Sequence, residues 1–514
     1  MPHIVAADKS NTVNWLLSPW LTLSTISSSQ LSNGISSMTL DSREVTKGTL
    51  FVALQGAVHD GRSFISDAIA AGASAVLSET KDSNEHGNVN IDMGVPVIQF
   101  FELNLNLSAI SMRYYFPKPN VHDLIAITGT NGKTTIASLL ANSYELLAQK
   151  SAQMGTIGNG LYGKLKTSLN TTLDAISVCR ELNNYQQLGA QHTIMEVSSH
   201  GLTQGRVAAI PFSTAVFTNL TRDHLDYHGT MEAYAEAKEK LFKDFPVKHK
   251  IINADDAIGK SWLGKYSHAI AYGFAAEPIF KTQAYFKITK VQYLPLGVTF
   301  TFTSSWGDGC ISAPFYGSFN VSNIAAVNCA LLANGFSVED IQHVTKQLTV
   351  VPGRMEQYYF SEQKVTFVVD YAHTPDALDN ALKALQSHKQ EGRIIAVFGC
   401  GGDRDKGKRP EMAKAAEAGA DKVIIVDDNP RSENAQSIVD DIKKGLINPE
   451  AALVIHDRKQ AIEYLLEHAE ANDIILVAGK GHEDYQIFGN KRVHYSDREC
   501  LSDLMNSKVS TKVL

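Results

Sequence analysis

The run Gly129-Thr130-Asn131-Gly132-Lys133-Thr134-Thr135 is set between an apolar stretch, Leu124 to Ile127, and a segment with Ile136, Leu139, Leu140, Tyr144 and Leu147 at helical spacing. Strand, glycine-rich turn and helix together are the context of a phosphate loop, and they restrict this part of the chain to an α/β arrangement. Glycines let backbone N–H groups close around phosphate oxygens, and the helix N-terminus adds partial positive charge. Lys133 can reach the terminal phosphates and Thr134 can ligate Mg²⁺. The general spacing would put a further glycine at position 127, which is Ile127, so the loop is a shortened G-x-x-G-K-T variant. ATP is the expected occupant, contacted by Gly129 to Thr135. A regulatory GTPase is disfavoured, because the chain has no N-K-x-D element to read the base.

With 514 residues the chain exceeds what one hydrophobic core usually serves, so several domains are expected. Hydrophobic residues at 44% and charged residues at 20% are ordinary for a folded protein. The 47 basic and 54 acidic side chains leave a net charge of -7, without the basic excess of a general nucleic-acid binder. Five cysteines (Cys179, Cys310, Cys329, Cys400, Cys500) include no C-x-x-C pair, which fits neither a disulfide framework nor a zinc site. A reducing, cytoplasmic setting is expected. The stretch from Trp15 to Leu23 is too short and too polar for a signal peptide, and no run of ~18 apolar residues suggests a membrane span.

From Met1 to about Tyr115 the pattern is mixed: a Ser-rich loop (Ser24 to Ser37), a strand at Thr49 to Leu54, a helix at Ser63 to Ala71 and a polar loop at Lys81 to Asn90. Pro117 and Pro119 favour an extended linker and mark the first boundary. Beyond it, Leu124 to Ile127, Thr193 to Val197, Thr214 to Phe217 and Lys250 to Ile252 read as buried strands alternating with helices, which implies a mostly parallel sheet. Strict alternation over Val298 to Thr303 predicts a half-exposed antiparallel piece. A second boundary falls near Pro352. After it, Val365 to Val369, Ile394 to Phe398, Val423 to Val426 and Ile474 to Ala478 repeat the signature, and Thr374-Pro375 reads as a helix N-cap followed by proline at the first position. The expected fold is therefore α/β in three domains: a small N-terminal α/β domain (1–116), a central P-loop ATPase (117–351) and a C-terminal Rossmann-like domain (352–514).

Three more segments could serve the phosphate loop: Glu196 in Met195 to His200, His224 in Asp223 to Asp226, and Lys238 in Ala237 to Glu239. Glu196 and His224 lie at or just after apolar runs, and the carboxyl ends of parallel strands line ligand crevices. A carboxylate and an imidazole there suit Mg²⁺ beside phosphates. Taken singly, Glu196 also reads as a helix cap, His224 as a core histidine and Lys238 as a solvated helix lysine.

Together with Gly129 to Thr135, the segments Glu196-Val197-Ser198-Ser199-His200-Gly201-Leu202, Asp223-His224-Leu225-Asp226-Tyr227-His228-Gly229 and Tyr234 with Ala237-Lys238 resemble the Mur ligases of peptidoglycan synthesis. The similarity continues through Asn320 to Asn323, Gly353 to Glu356 and Asp370 to Pro375, and it covers essentially the whole chain. The resemblance implies an N-terminal domain for a UDP moiety, a central ATPase and a C-terminal domain for an incoming amino acid. It implies a reaction in which a carboxylate is activated as an acyl phosphate and then attacked by an amine. Lys133, Glu196, His224 and Lys238 become the catalytic candidates. Thr134, Glu196, His224 and a carbamylated Lys238 are the implied Mg²⁺ ligands, and Asn323, Arg354 and Asp370 the implied contacts to adenine, phosphate and ribose.

Asp427-Asp428-Asn429-Pro430-Arg431 resembles the element of the family member that adds meso-2,6-diaminopimelate. That amino acid differs from lysine by a distal carboxylate, which a guanidinium fork matches in bidentate fashion. Asp428, Asn429, Pro430 and Arg431, with Arg404, Gly479 and Glu483, are the implied amino-acid contacts; in isolation Arg431 reads as a surface residue after an N-P turn and Arg404 as part of a solvated turn. For the partner substrate, UDP-N-acetylmuramoyl-L-alanyl-D-glutamate, similarity points to Leu40, Ser42, Thr171, Thr172, Ser198, Gln204 and Arg206, although Ser and Thr at strand ends are commonly caps. The implied enzyme is an ATP-dependent, C–N bond-forming ligase, expected as a monomer. The alternatives are a lysine-adding sibling, a more remote folylpolyglutamate synthetase, and a non-catalytic nucleotide switch.

Overall fold

The computed structural model describes residues 12–21, 34–56, 60–118, 121–168, 170–294 and 297–510. The Ser-rich loop expected over Ser24 to Ser37 lies outside the described residues as far as 33, as does Pro119 of the expected linker. The chain groups into two compact units: Met1–Gly129, Ala148–Val216 and Arg222–Lys250 form one, and Thr130–Leu147, Phe217–Thr221 and Ile251–Leu514 form the other.

In the first unit, β1 (Ser37–Thr39), β2 (Thr49–Ala53), β3 (Ala75–Thr80), β4 (Val89–Asp92) and β5 (Val95–Phe101) form a sheet in the order β1-β2-β3-β5-β4. All its pairs are parallel except β4 with β5. The polar loop expected at Lys81 to Asn90 therefore already contains the first two residues of β4. The helix expected at Ser63 to Ala71 is shorter, Ile65–Ala70. A 3₁₀ turn, Gly61–Phe64, precedes it because the Asp60 side chain accepts from the Arg62 N–H and nucleates a tight turn there. β6 (Asp123–Thr128), β7 (Ser151–Gly155), β8 (Gly158–Leu161), β9 (His192–Glu196) and β10 (Thr214–Phe217) follow in the order β8-β7-β9-β6-β10. β9 is parallel to both of its neighbours, and its residues from Thr193 onward are buried, as a strand covered by helices on both faces requires.

In the second unit, β11 (His249–Asn253), β12 (Ile270–Gly273), β13 (Ala284–Leu294), β14 (Gly297–Ser304) and β15 (Gly309–Ala313) are neighbours in chain order. The alternating segment is β14: Val298, Phe300 and Phe302 are each 1% exposed, and the strand pairs antiparallel with β13 and β15. The remaining strands are β16 (Glu356–Phe360), β17 (Val365–Asp370), β18 (Ile394–Phe398), β19 (Lys422–Ile425), β20 (Leu453–Val454) and β21 (Ile474–Ala478), ordered β16-β17-β21-β18-β19-β20, with a separate hairpin of β22 (Tyr485–Phe488) and β23 (Lys491–His494). Only β16 is antiparallel in the six-stranded sheet. The loops after β18, β19 and β21 thus leave from the same edge of three neighbouring strands.

The helix after the phosphate loop, Lys133–Leu146, was expected to bury one face. Every residue from Thr134 to Tyr144 is buried instead. Its small residues (Ala137, Ser138, Ala141, Ser143) admit close neighbours, and helices Ser318–Ala333 and Val338–Thr345 pack against it. Leu147 is the C-cap rather than a helical residue. Among the described residues no helix is long and apolar enough to cross a membrane, and all five cysteines are free.

Helix Pro375–His388 starts as the sequence predicts: Thr374 accepts from the Ala377 N–H at 3.3 Å, Pro375 takes the first position, and Leu378, Ala381, Leu382 and Leu385 are buried. Thr374→Ala should cost about 1 kcal/mol in chemical denaturation, with Thr374→Ser near wild type. A second expectation concerns His482. Burial, and then the positive charges of Arg354 and Arg498, push its imidazole down to about 4 from an ordinary 6.5. The unfolded chain takes up that proton first, so this contribution to stability is complete above about pH 6.5 and is lost as pH falls through about 4. His482→Gln should flatten the difference in denaturation midpoint between pH 7 and pH 5.

Candidate active site

The nucleotide loop is held from a neighbouring segment. Thr130 N donates to Asn219 O at 2.9 Å, and Asn131 N donates to Asn219 Oδ1 at 2.9 Å. Thr218 Oγ1 donates to Asn131 O at 2.6 Å, and Thr221 N donates to Thr130 Oγ1 at 3.0 Å. Gly132 caps the helix at φ +87°, where an added Cβ would stand 2.7 Å from Asn323 Oδ1, so both conformation and space demand glycine. Lys133 Nζ donates to Thr130 O at 2.8 Å, lying back across the loop. Arg354 Nη2 points at Thr134 Oγ1, at a long 3.5 Å, and its guanidinium stacks 4.7 Å from the Tyr371 ring centre. Its Nε is buried with no hydrogen-bond partner among the described residues, a free donor beside the loop. Asp370 ends β17 with its oxygens accepting from the Met355 and Ala372 N–H groups, each at 2.8 Å; burial raises its carboxyl pKa against the pull of Arg354. Asn323, Arg354 and Asp370 therefore belong to the same unit as Thr130 to Thr135.

The other candidates lie in the first unit. Glu196, at the end of β9, is fully buried and accepts from Thr156 N at 2.8 Å and Thr156 Oγ1 at 3.2 Å. A Cβ on Gly155 would come within 2.1 Å of its Oε1, so this carboxylate can sit there only beside a glycine. It caps no helix. His224 is no core histidine either: its side chain is 47% exposed and its backbone is left-handed, with its ring edge-on to His200 at 5.0 Å. Lys238 is 1% exposed, its Nζ donating to Gly129 O at 2.8 Å and lying 4.6 Å over the Tyr234 ring, so it is not a solvated helix lysine. Among the described residues no three His, Cys, Asp or Glu side chains are grouped to hold a metal; the expected set depends on Thr134 and on Lys238 becoming an anion.

Five of the residues expected at the nucleotide-sugar substrate form one network. Thr172 Oγ1 donates to Glu196 O at 3.0 Å and accepts from Ser198 N at 3.0 Å. Arg206 donates to Thr172 O at 2.7 Å and Gln204 Oε1 at 2.9 Å, while Thr171 Oγ1 lies 3.1 Å from Thr156 Oγ1. Ser198 is also a cap, accepting from the Gly201 N–H. Leu40 and Ser42 make no hydrogen bond to this network. Leu40 packs on the same cluster as Ala175 and Ile176, just after Thr172 in sequence, and Ser42 opens a 3₁₀ turn capped by Asp41.

The amino-acid candidates leave the ends of β18, β19 and β21. Arg431, at φ 52°, is fixed by its backbone to Ile487 O (3.0 Å) and Gly489 N (2.7 Å), and its Nη1 donates to Gly402 O at 2.8 Å. Its Nε and Nη2 make no hydrogen bond among the described residues. Asn429 Oδ1 accepts from the Ile487 N–H, and Pro430 backs the Gly402 backbone so closely that a Cβ on Gly402 would meet Pro430 O at 1.9 Å. Gly479, at φ +112°, opens the turn that carries Glu483. Arg404 is exposed, with no hydrogen bond or ion pair among the described residues. Lys480 was not singled out from sequence, yet it is fully buried, 2.9 Å from Asp428 Oδ1 and 2.8 Å from Glu483 Oε2. Burial acts to raise the Asp428 carboxyl, but Lys480 and Arg458 outweigh it and leave it lowered. Asp428 thus stays anionic beside the buried Lys480, which Glu483 approaches from its other side. Thr156, Thr218 and Asn219 were likewise missed; no spacing rule marks a hydroxyl or amide whose partner lies 40 to 90 residues away.

Three family descriptions match the chain in order: Mur ligase family, catalytic domain, over 34–115; Mur ligase middle domain over 127–331; and Mur ligase, glutamate ligase domain, over 353–481. The stretches correspond to three α/β domains with mixed, mostly parallel sheets. The chain is similar to a Haemophilus influenzae protein named UDP-N-acetylmuramoyl-L-alanyl-D-glutamate–2,6-diaminopimelate ligase, 48% identical over 91% of this chain and 96% of the relative. It is equally similar, at 48%, to a Vibrio cholerae protein of the same name, over 96% of this chain and 98% of that one. A solved structure of a protein so named aligns with TM-score 0.67 and 37% identity, covering 95% of this chain and 98% of that one. Matched by all three descriptions and nearly half identical to these relatives over almost its full length, the chain belongs to the Mur ligase family.

Proposed function

We propose that the chain uses ATP to join meso-2,6-diaminopimelate to UDP-N-acetylmuramoyl-L-alanyl-D-glutamate, a step in making peptidoglycan precursors. The observation that carries this reading is the open side of the Arg431 guanidinium at the end of β19, next to loops bearing Arg404 and the Asp428–Lys480–Glu483 charges. A distal carboxylate suits the former and an ammonium group the latter. Relatives 48% identical carry the name of that activity. We assign residues 1–116 to the UDP-substrate domain, 117–351 to the ATPase and 352–514 to amino-acid binding. The chain is read as a cytoplasmic monomer, each candidate set coming from one copy.

In this reading the Gly129–Thr135 loop and Lys133 hold the triphosphate, with Arg354 adding a guanidinium donor; Asn323 and Asp370 are assigned to adenine and ribose. Thr171, Thr172, Ser198, Gln204 and Arg206, with Leu40 and Ser42, hold the nucleotide-sugar peptide. Its free carboxylate attacks the terminal phosphorus, giving an acyl phosphate and ADP. The amine of the amino acid, having lost its proton, attacks the acyl carbon; phosphate leaves and an amide remains. Holding amine and acyl phosphate in register is worth up to ~7 to 11 kcal/mol in well-oriented systems. Two anions must meet, and Mg²⁺ when bound supplies the screening charge. Thr134, Glu196, His224 and carbamylated Lys238 are the oxygen-rich, anionic donor set that would hold it. The Lys238 amine would add to CO₂ and release a proton, and the carbamate keeps one N–H to donate to Gly129 O.

Phosphate release stimulated by diaminopimelate well above lysine or glutamate is the expected result. Faster turnover with lysine would transfer the reading to the lysine-adding branch of the family, and nucleotide binding with no amino-acid stimulation would leave only a switch. Lys238→Ala should nearly abolish ligation while retaining nucleotide binding, with partial recovery on adding short-chain carboxylic acids. Undiminished activity in that variant would remove the carbamate.

A further inference from the structure

The loops after β18 and β19 are joined by hydrogen bonds. Gly402 N donates to Asn429 O at 2.9 Å. Asp403 accepts from Ser432 Oγ at 2.7 Å and Ser432 N at 3.1 Å, and its own N–H donates to Glu433 Oε1 at 2.6 Å. Beneath them lies Arg409, 1% exposed. Its guanidinium donates to Glu433 Oε1 at 2.9 Å and Oε2 at 3.1 Å, to Asp441 Oδ2 at 2.9 Å and to Gly401 O at 3.2 Å. This bidentate pairing, with the Asp403 N–H, draws the Glu433 carboxyl down to about 2, so it is anionic throughout the working range.

Each loop also contains a non-glycine residue in the left-handed region, Asp403 at φ 53° and Arg431 at φ 52°. Such conformations are unfavourable for residues with a side chain and persist where surrounding bonds over-determine them. Here those bonds are the ones that cross from loop to loop, and they bracket Arg404 and Arg431, whose guanidinium groups keep donors without a partner among the described residues.

We propose that Glu433, clamped by Arg409, is a positioning residue for amino-acid selection: it fixes the Asp403–Arg404 turn against Arg431, so that the two guanidinium groups meet the distal carboxylate of the incoming amino acid together. This rests on the proposed diaminopimelate reading. Neither Glu433 nor Arg409 touches substrate in it; both act through the loops they join.

The test compares steady-state kinetics of the full-length enzyme with diaminopimelate and with lysine for Glu433→Gln, Ser432→Ala and Arg431→Ala. Glu433→Gln should raise KM for diaminopimelate about tenfold or more, as expected for a displaced binding group, while KM for ATP changes less than about twofold. The preference for diaminopimelate over lysine should fall with it, because lysine has no distal carboxylate whose contact could be lost. Ser432→Ala, a milder cut in the same seam, should change the preference in the same direction and serves as the measurement if Glu433→Gln does not fold. An equal loss for both amino acids, or an unchanged preference in the variants that fold, overturns the proposal. Arg431→Ala separates the two levels of inference. If it raises KM for diaminopimelate while the seam variants do not, positioning by Glu433 is wrong and the substrate reading stands. If it too leaves diaminopimelate unaffected, the substrate reading itself fails.

Discussion

A loop that must wrap phosphate oxygens cannot spend its own amides on regular structure, so something else has to hold its shape. In this protein the segment Thr218 to Thr221 does so, binding the Thr130 and Asn131 amides and the Asn131 carbonyl. Anchored thus, the loop begins a helix buried on every side. Rigidity at the phosphate end follows from bonds to a strand terminus nearly 90 residues away, and it keeps Lys133 and Thr134 in fixed relation to Arg354.

Charge burial is the second theme. Lys480, Arg409 and Arg458 are all at most 1% exposed, and each is paired: Lys480 with Asp428 and Glu483, Arg409 with Glu433 and Asp441, Arg458 with Asp497 at 2.7 Å. Arg458 also donates to Ala478 O at 3.0 Å, beneath the turn where β21 gives way to Gly479. Removing one partner of such a pair typically costs 3 to 5 kcal/mol, whereas the intact pair adds little net stability. Three of these in one domain, all under the loops at the strand ends, fix geometry more than they strengthen the fold.

Much of this was legible in sequence where the signal is local. Thr214–Phe217, Ile394–Phe398 and Ile474–Ala478 are strands with the bounds that their unbroken apolar runs indicate, and Thr374-Pro375 starts a helix because capping chemistry acts within four residues. The phosphate loop declares itself for the same reason. The helix after it did not show its full burial, since small residues such as Ala137 and Ser143 carry no amphipathic signal. Lys480 stood in plain view within a glycine-rich motif, but its partner Asp428 is 52 residues away and nothing local distinguishes a buried lysine from a solvated one. Gly155 reads as any strand-end glycine until the Glu196 carboxylate is seen filling the space a side chain would need.

The near-contact between Gly402 and Pro430 has a consequence for how amino-acid preference can change over time. Backbones this close leave no room for a side chain at Gly402, since its first carbon would collide with Pro430 in the turn after β19. A transplant of the Asp427–Arg431 segment from a differently selective homologue would therefore have to carry residues 401–405 along with it, and drift toward a new substrate must pass through paired rather than single replacements.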